Sequence, residues 1–201
     1  MASSVNSAEL AKLAKLAFMM EIISKKDINS AVAILKRGGV VVYPTDTAYA
    51  LGGIFNSRKV TAKILKIKRR KDDKFTLIAA DIAQVKKFFK LNILQEKLAK
   101  KYWPGPFSLV ISKRFAVRVP ANAVARRLAK GAGRPLIATS ANISGGRTLY
   151  DDRAIIKEFK DKKNQPDMIL TAGKLKKIKT STIVKVSRGK LMVLREGSIK
   201  I

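Results

Sequence analysis

From Met20 onward, short β-branched and apolar runs alternate with segments of helical periodicity, each closed by glycine, proline or a capping side chain. This alternation restricts the fold most: it specifies an α/β domain with a twisted mixed sheet flanked by helices. Residues 27–37 read as a helix capped by Asp27 and stopped by Gly38-Gly39. Residues 40–43 read as a strand closed by Pro44, and 57–68 as a helix capped by Ser57. A strand at 75–80, a helix from Asp81 to Phe89 and a helix at 94–102 follow, the last broken by Trp103-Pro104-Gly105-Pro106. Strands are then expected at 107–112 and 116–119, a helix at 121–130, a strand at 135–139 and a helix at 151–159. Strands at 168–170, 182–186 and 191–194 complete the pattern. No repeat or linker interrupts it, so residues 20–201 read as one domain. Residues 1–19 stand apart as a leader of undecided status: an appendage, a cloning remnant or a mis-assigned start. Within it, 8–18 carries a short amphipathic pattern too polar for a secretory signal.

What the strands run into carries the functional signal. The apolar run Leu136-Ile137-Ala138 ends in Thr139, Ser140, Asn142 and Ser144, followed by Gly145-Gly146. Small hydroxyl and amide groups at a strand end place hydrogen-bonding atoms where open α/β sheets bind ligands. The strand at 40–43 likewise empties into Pro44-Thr45-Asp46-Thr47, which brings a hydroxyl and a carboxylate to the mouth of the sheet. A solvated turn would account for either segment alone.

The residue inventory limits the chemistry. There is no cysteine and no histidine, which excludes disulfides, thiolate nucleophiles, imidazole acid–base catalysis and the common zinc sites. Neither Gly-x-x-x-x-Gly-Lys-[Ser/Thr] nor Gly-x-Gly-x-x-Gly occurs. Lys and Arg total 43 against 14 acidic residues, a net charge of +29, which attracts polyanions unless it reflects only a lysine-rich composition. No stretch reaches the roughly 18 apolar residues of a membrane span, and a cytoplasmic protein without a membrane partner is expected. The basic run at 66–71 closes a helix, where cations complement the helix dipole. Within it Lys68 and Arg70 are also spaced to clamp a triphosphate. Arg118, between Val117 and Val119 and before Pro120, either points into a cavity or alternates out to solvent.

Seven segments in order resemble the YrdC-type threonylcarbamoyl-AMP synthase family. They are Tyr-Pro-Thr-Asp-Thr (43–47), Lys-x-Arg (68–70), Trp-Pro-Gly-Pro (103–106), Val-Arg-Val-Pro (117–120), Thr-Ser-Ala-Asn (139–142), Ser-Thr-Ile-Val (181–184) and Leu-Arg-Glu-Gly (194–197). The resemblance implies the short, single-domain form, with a large basic concave cavity. It implies a nucleotidyltransferase that makes threonylcarbamoyl-adenylate and pyrophosphate from L-threonine, bicarbonate and ATP. That product serves threonylcarbamoylation of ANN-decoding tRNAs by downstream transferase proteins. Carried over by motif, Thr47, Arg118, Ala138 and Ser181 are expected on the threonine side, with Arg118 on its carboxylate. Lys68, Arg70 and Lys74 are expected at the ATP phosphates, with Lys68 and Arg70 as the catalytic positioning pair. Ser140, Asn142, Thr148 and Arg195 are expected to line the nucleotide site. Mg²⁺ is expected to arrive with ATP, and no protein metal site is expected.

The chain departs from the family pattern in four places. Lys71 stands where proline usually follows Lys-x-Arg, and the stretch leading to Lys74 is shorter. Asp46 stands where glutamate is common. The connection before Arg118 is trimmed to Ser112-Lys113-Arg114-Phe115-Ala116, and the sequence stops shortly after Gly197. A rival reading uses the same fold without catalysis: a tRNA- or double-stranded-RNA-binding protein, suggested by the net charge and the basic segment 157–179.

Overall fold

The computed structural model describes residues 20–201; the leader at 1–19 lies outside the described residues. Ten strands form one continuous mixed sheet: β1 (Glu21–Ser24), β2 (Val41–Pro44), β3 (Tyr49–Gly52), β4 (Phe75–Ile78), β5 (Phe107–Val110), β6 (Phe115–Arg118), β7 (Leu136–Ser140), β8 (Met168–Thr171), β9 (Thr182–Ser187) and β10 (Lys190–Arg195). Their order across the sheet is β1-β8-β2-β3-β7-β4-β6-β5-β9-β10. Among the described residues, six helices pack against it: α1 (Ile28–Lys36), α2 (Arg58–Lys68), α3 (Ile82–Phe88), α4 (Ile93–Tyr102), α5 (Ala123–Gly131) and α6 (Asp152–Phe159).

The helix boundaries follow the capping chemistry. Asp27, Ser57, Asp81, Asn92 and Asn122 each accept a hydrogen bond from an amide of the first turn, which satisfies donors the helix cannot. Gly38 ends α1 at φ +79°, a conformation costly for any residue with a Cβ. Two strands escape the sequence patterns. β1 is only four residues long, and β3 follows β2 so closely that both read as one strand and its turn. β3 is the bridge of the sheet, antiparallel to β2 on one side and to β7 on the other. Its last residue, Gly52, lies so close to the Ile137 carbonyl that a Cβ would collide with it.

Alternate strand residues feed two cores, as the twofold strand period requires. Val41, Tyr43 and Leu136 pack beneath α1 and α5 with Leu35 and Leu128. Val42, Leu51, Leu77 and Ile137 pack on the other face with Ile64 and Ile67 of α2. The sheet is therefore covered on both faces near its centre. Polar atoms concentrate where its strands end.

Candidate functional site

The site is assembled from the ends of β2 and β7 and from Arg118 of β6, a strand that runs antiparallel to both. β2 ends at Pro44, and Thr45 organises the turn behind it. The Thr45 hydroxyl donates to the Ala48 carbonyl (2.6 Å) and accepts from the Thr47 and Ala48 amides (both 3.2 Å). That turn turns Asp46 and Thr47 toward Arg118, the last residue of β6. Arg118 Nη1 lies 3.0 Å from Asp46 Oδ1 and donates to Oδ2 at 3.2 Å. Arg118 Nη2 donates to the Thr47 hydroxyl at 3.2 Å. The Arg118 side chain is 6% exposed, so it points inward and not to solvent. Burial pulls its pKa down from the usual arginine range, and the Asp46 carboxylate opposes that pull.

The end of β7 forms the second flank, and Lys68 organises it. Lys68 Nζ donates to the Ser140 carbonyl (2.7 Å), the Asn142 carbonyl (2.7 Å) and Asn142 Oδ1 (2.8 Å), with Ser140 Oγ at 3.2 Å. The Ser144 amide returns a bond to the Lys68 carbonyl at 3.0 Å. Asn142 Oδ1 also accepts from Ser140 Oγ (2.6 Å), while its Nδ2 donates to the Gly146 carbonyl (2.5 Å). An ammonium has three protons, and four oxygens surround this one. Burial pushes the Lys68 pKa down to about 8; the Arg70 charge adds to that shift and Glu158 opposes it.

Between the flanks lies a cavity of about 910 Å³. Thr47, Arg118, Ala138 and Ser181 line it, as do Arg70, Lys74, Ser140, Thr148 and Arg195. Lys68 and Asn142 are buried behind this wall, with 2% and 5% of their surfaces exposed. The sequence pattern makes Lys68 a solvated helix end or a phosphate contact. The structure instead shows its charge spent on the backbone of 140–142. Arg70, two residues on, differs. Its guanidinium lies over the Phe75 ring at 4.7 Å and donates to the Lys74 carbonyl at 2.7 Å. Arg70 Nε is buried with no protein partner. On the far side, Arg195 holds Ser181 through its carbonyl (3.0 and 2.8 Å) and its hydroxyl (3.0 Å). Ser108, wholly buried, lies 3.0 Å from the same hydroxyl. Burial lowers the Arg195 pKa, and the nearby Arg118 charge lowers it further.

Sequence reasoning overlooked several lining residues, among them Gln95, Tyr150 and Lys185. Each comes from a different element and lies in no motif. The trimmed connection before Arg118 still supplies wall, because Ser112, Lys113 and Arg114 all face the cavity. Cations and hydroxyls dominate the polar lining, and no carboxylate is among it. Such a surface can bind and orient an anion and neutralise charge as it develops. Among the described residues, no group of three or more Asp, Glu, His or Cys is placed to hold a metal. No helix among them is long and apolar enough to cross a membrane.

Known proteins give the same outline. The Sua5/YciO/YrdC family model, described as Telomere recombination, matches residues 33–197. The chain is 30% identical to the uncharacterized protein YciO of Escherichia coli over 185 residues, covering 85% of this chain and 88% of that protein. It is 33% identical to the threonylcarbamoyl-AMP synthase of Chromobacterium violaceum over 174 residues, covering 79% and 88% of the two chains. Among solved structures, P. abyssi Sua5 complexed with L-threonine superposes with a TM-score of 0.78 at 26% identity. That match covers 89% of this chain, which spans 57% of the Sua5 chain.

Proposed function

The chain belongs to the Sua5/YciO/YrdC family, and we propose that it is an L-threonylcarbamoyladenylate synthase. The observation that carries this reading is the cavity's two poles. At one, Arg118, Thr47 and Ser181 offer a guanidinium and two hydroxyls, which suit the carboxylate and side chain of a hydroxy-amino acid, with the Ala138 backbone beside them. The threonine bound by the P. abyssi relative supports it. At the other pole, Arg70 and Lys74 offer positive charge to a triphosphate, next to Ser140 and Thr148, while Arg195, which holds Ser181, lies with the first pole.

The chemistry suits a wall without histidine or cysteine. The threonine nitrogen attacks the carbon of CO2 derived from bicarbonate and loses a proton, giving a carbamate. A carbamate oxygen then attacks the α-phosphorus of ATP, and the bond to the β-phosphate bridging oxygen breaks, releasing pyrophosphate. Phosphoryl transfer of this kind depends on alignment and charge neutralisation more than on covalent help. Arg70 and Lys74 would neutralise the triphosphate. Lys68 and Asn142 would act from behind, holding Ser140 in place. Mg²⁺ would enter on the triphosphate as part of the substrate, keeping its own water, because the cavity wall supplies no carboxylate. The adenylate would pass to transferase proteins that modify ANN-decoding tRNAs in the cytoplasm. The net charge of +29 supports direct contact with tRNA or double-stranded RNA.

The test is pyrophosphate release from ATP with threonine and bicarbonate each omitted in turn. Release that needs both is expected; release indifferent to either would reject the reading. Arg70→Ala should raise the KM for ATP by about 10- to 100-fold, the worth of a charge-assisted contact. Full activity in that variant would remove Arg70 from the phosphate pole.

A further inference from the structure

A second concavity lies at the opposite end of the sheet. β1, β8 and β2 run parallel, so their first residues share one end. The cavity described above opens beyond the last residues of β2. The second groove, of about 830 Å³, is lined by Glu21, by Gly38 and Gly39 ahead of β2, and by the run from Lys162 to Asp167 ahead of β8. Helix α2 forms its other wall through Lys59, Lys63 and Lys66. No lining residue is shared with the first cavity.

The charge in this groove is lopsided in a way the fold does not use. Arg37, Lys59, Lys63, Lys66, Lys162 and Lys163 line it, against Glu21 and Asp167. Asp167 is committed to structure: it accepts from the Val40 amide at 2.7 Å and pairs with Lys63. Among the described residues, none of the other five cations has a carboxylate within ion-pair distance. All five are exposed. Lys59, Lys63 and Lys66 stand four and three residues apart, which puts them on one face of α2, about 6 and 4.5 Å apart along the axis. Asn164 and Gln165 add neutral hydrogen-bonding groups, and no aromatic side chain lines the groove for base stacking.

We propose that this groove is an RNA-binding track that grips the phosphodiester backbone without reading sequence. A concave site suits a strand that can enter it, whereas a flat anionic bilayer would reach only its rim. The proposal locates the RNA contact suggested by the net charge and does not depend on the adenylate-forming reaction. Because the groove and the cavity lie at opposite ends of the sheet, RNA on the track leaves the cavity open.

The test measures binding of a tRNA transcript by wild type, by Lys59→Gln/Lys66→Gln/Lys162→Gln, and by a charge-matched control, Lys90→Gln/Lys97→Gln/Lys100→Gln. The control residues are exposed and lie outside both concavities. The groove variant should lose at least tenfold in affinity, and its log–log salt slope should shrink by about 2 to 3, as expected for three lost phosphate contacts. The control should stay within about threefold, and both variants should release pyrophosphate at the wild-type rate. Equal losses in the two variants would assign binding to the general charge and overturn the track. The track also falls if the groove variant loses binding to anionic vesicles but keeps its tRNA affinity. A wild-type protein that does not bind tRNA at all would instead sink the RNA contact itself.

Discussion

The two flanks of the cavity are built from similar parts, a buried cation against oxygen acceptors, yet they are wired differently. On the β7 flank, every proton of Lys68 goes to backbone or amide oxygens of Ser140 and Asn142. Those acceptors belong to the chain and have no other place to go. On the β6 flank, Arg118 is held by Asp46, a side chain 12% exposed on a turn, and by the Thr47 hydroxyl. A ligand carboxylate could take over either contact. The first flank is a scaffold that fixes a strand end; the second, in the proposed function, is a binding group whose place is held by a carboxylate of the protein. A cation in a motif therefore says little about whether it meets the ligand. Its partners decide that.

The largest effect is expected from breaking the exchangeable flank. Arg118→Ala leaves Asp46 without its counter-charge in a confined site and removes the proposed carboxylate grip. Threonine-dependent pyrophosphate release should fall by about 100-fold or more, with stability lower by about 3 kcal/mol in denaturant unfolding. Unchanged threonine dependence would mean that Arg118 serves only Asp46.

Lys68→Met comes next. It strips a donor from the part-buried Ser140 carbonyl and the buried Asn142 carbonyl, so about 1–3 kcal/mol of stability should be lost. Because the residue acts through Ser140 and not on substrate, kcat should drop by about tenfold while the KM for threonine stays put. A variant that raises only the KM for ATP would make Lys68 a direct phosphate contact.

A pH series sharpens the same distinction by a smaller amount. Lys68 loses its proton near pH 8 in the folded protein and at the ordinary lysine value when unfolded. Across that interval the unfolded chain binds more protons, so this group's contribution to stability rises with pH. Activity should fall severalfold over the same interval, because a neutral amine donates one bond fewer to the strand end. Stability and activity should thus move in opposite directions, and Lys68→Met should flatten both trends.

The smallest effect is expected from Asp46→Asn. The amide is a weaker partner for Arg118, so the KM for threonine should fall by about two- to fivefold, while stability drops by about 1 kcal/mol. A rise in KM would show that Asp46 aligns Arg118 and does not compete for it.

The parts of this molecule that could be read from sequence are those governed by neighbours along the chain. Asp27, Ser57 and Asp81 cap helices because a side-chain oxygen needs only the amide two or three residues ahead. The strand ends at Pro44 and Ser140 were visible because apolar runs gave way to hydroxyls at fixed places. β3 was hidden because a four-residue strand after a tight turn carries no period of its own. The Asp46–Arg118 pair spans 72 residues, and the Lys68–Ser140 contact likewise spans 72. Only the folded sheet brings those partners together, so the motifs could nominate the residues without sorting scaffold from binding group. The groove at the far end draws on four segments and no motif. Its charge was legible, but its concavity was not.

The most direct measurement of the central claim follows the carbon. The protein is incubated with ATP, threonine and ¹³C-labelled bicarbonate, and the adenylate product is weighed by mass spectrometry. The account predicts an adduct containing threonine and AMP that is heavier by one labelled carbon, formed in step with pyrophosphate. Pyrophosphate formed without the label in an adenylate, or no adduct at all, would contradict it.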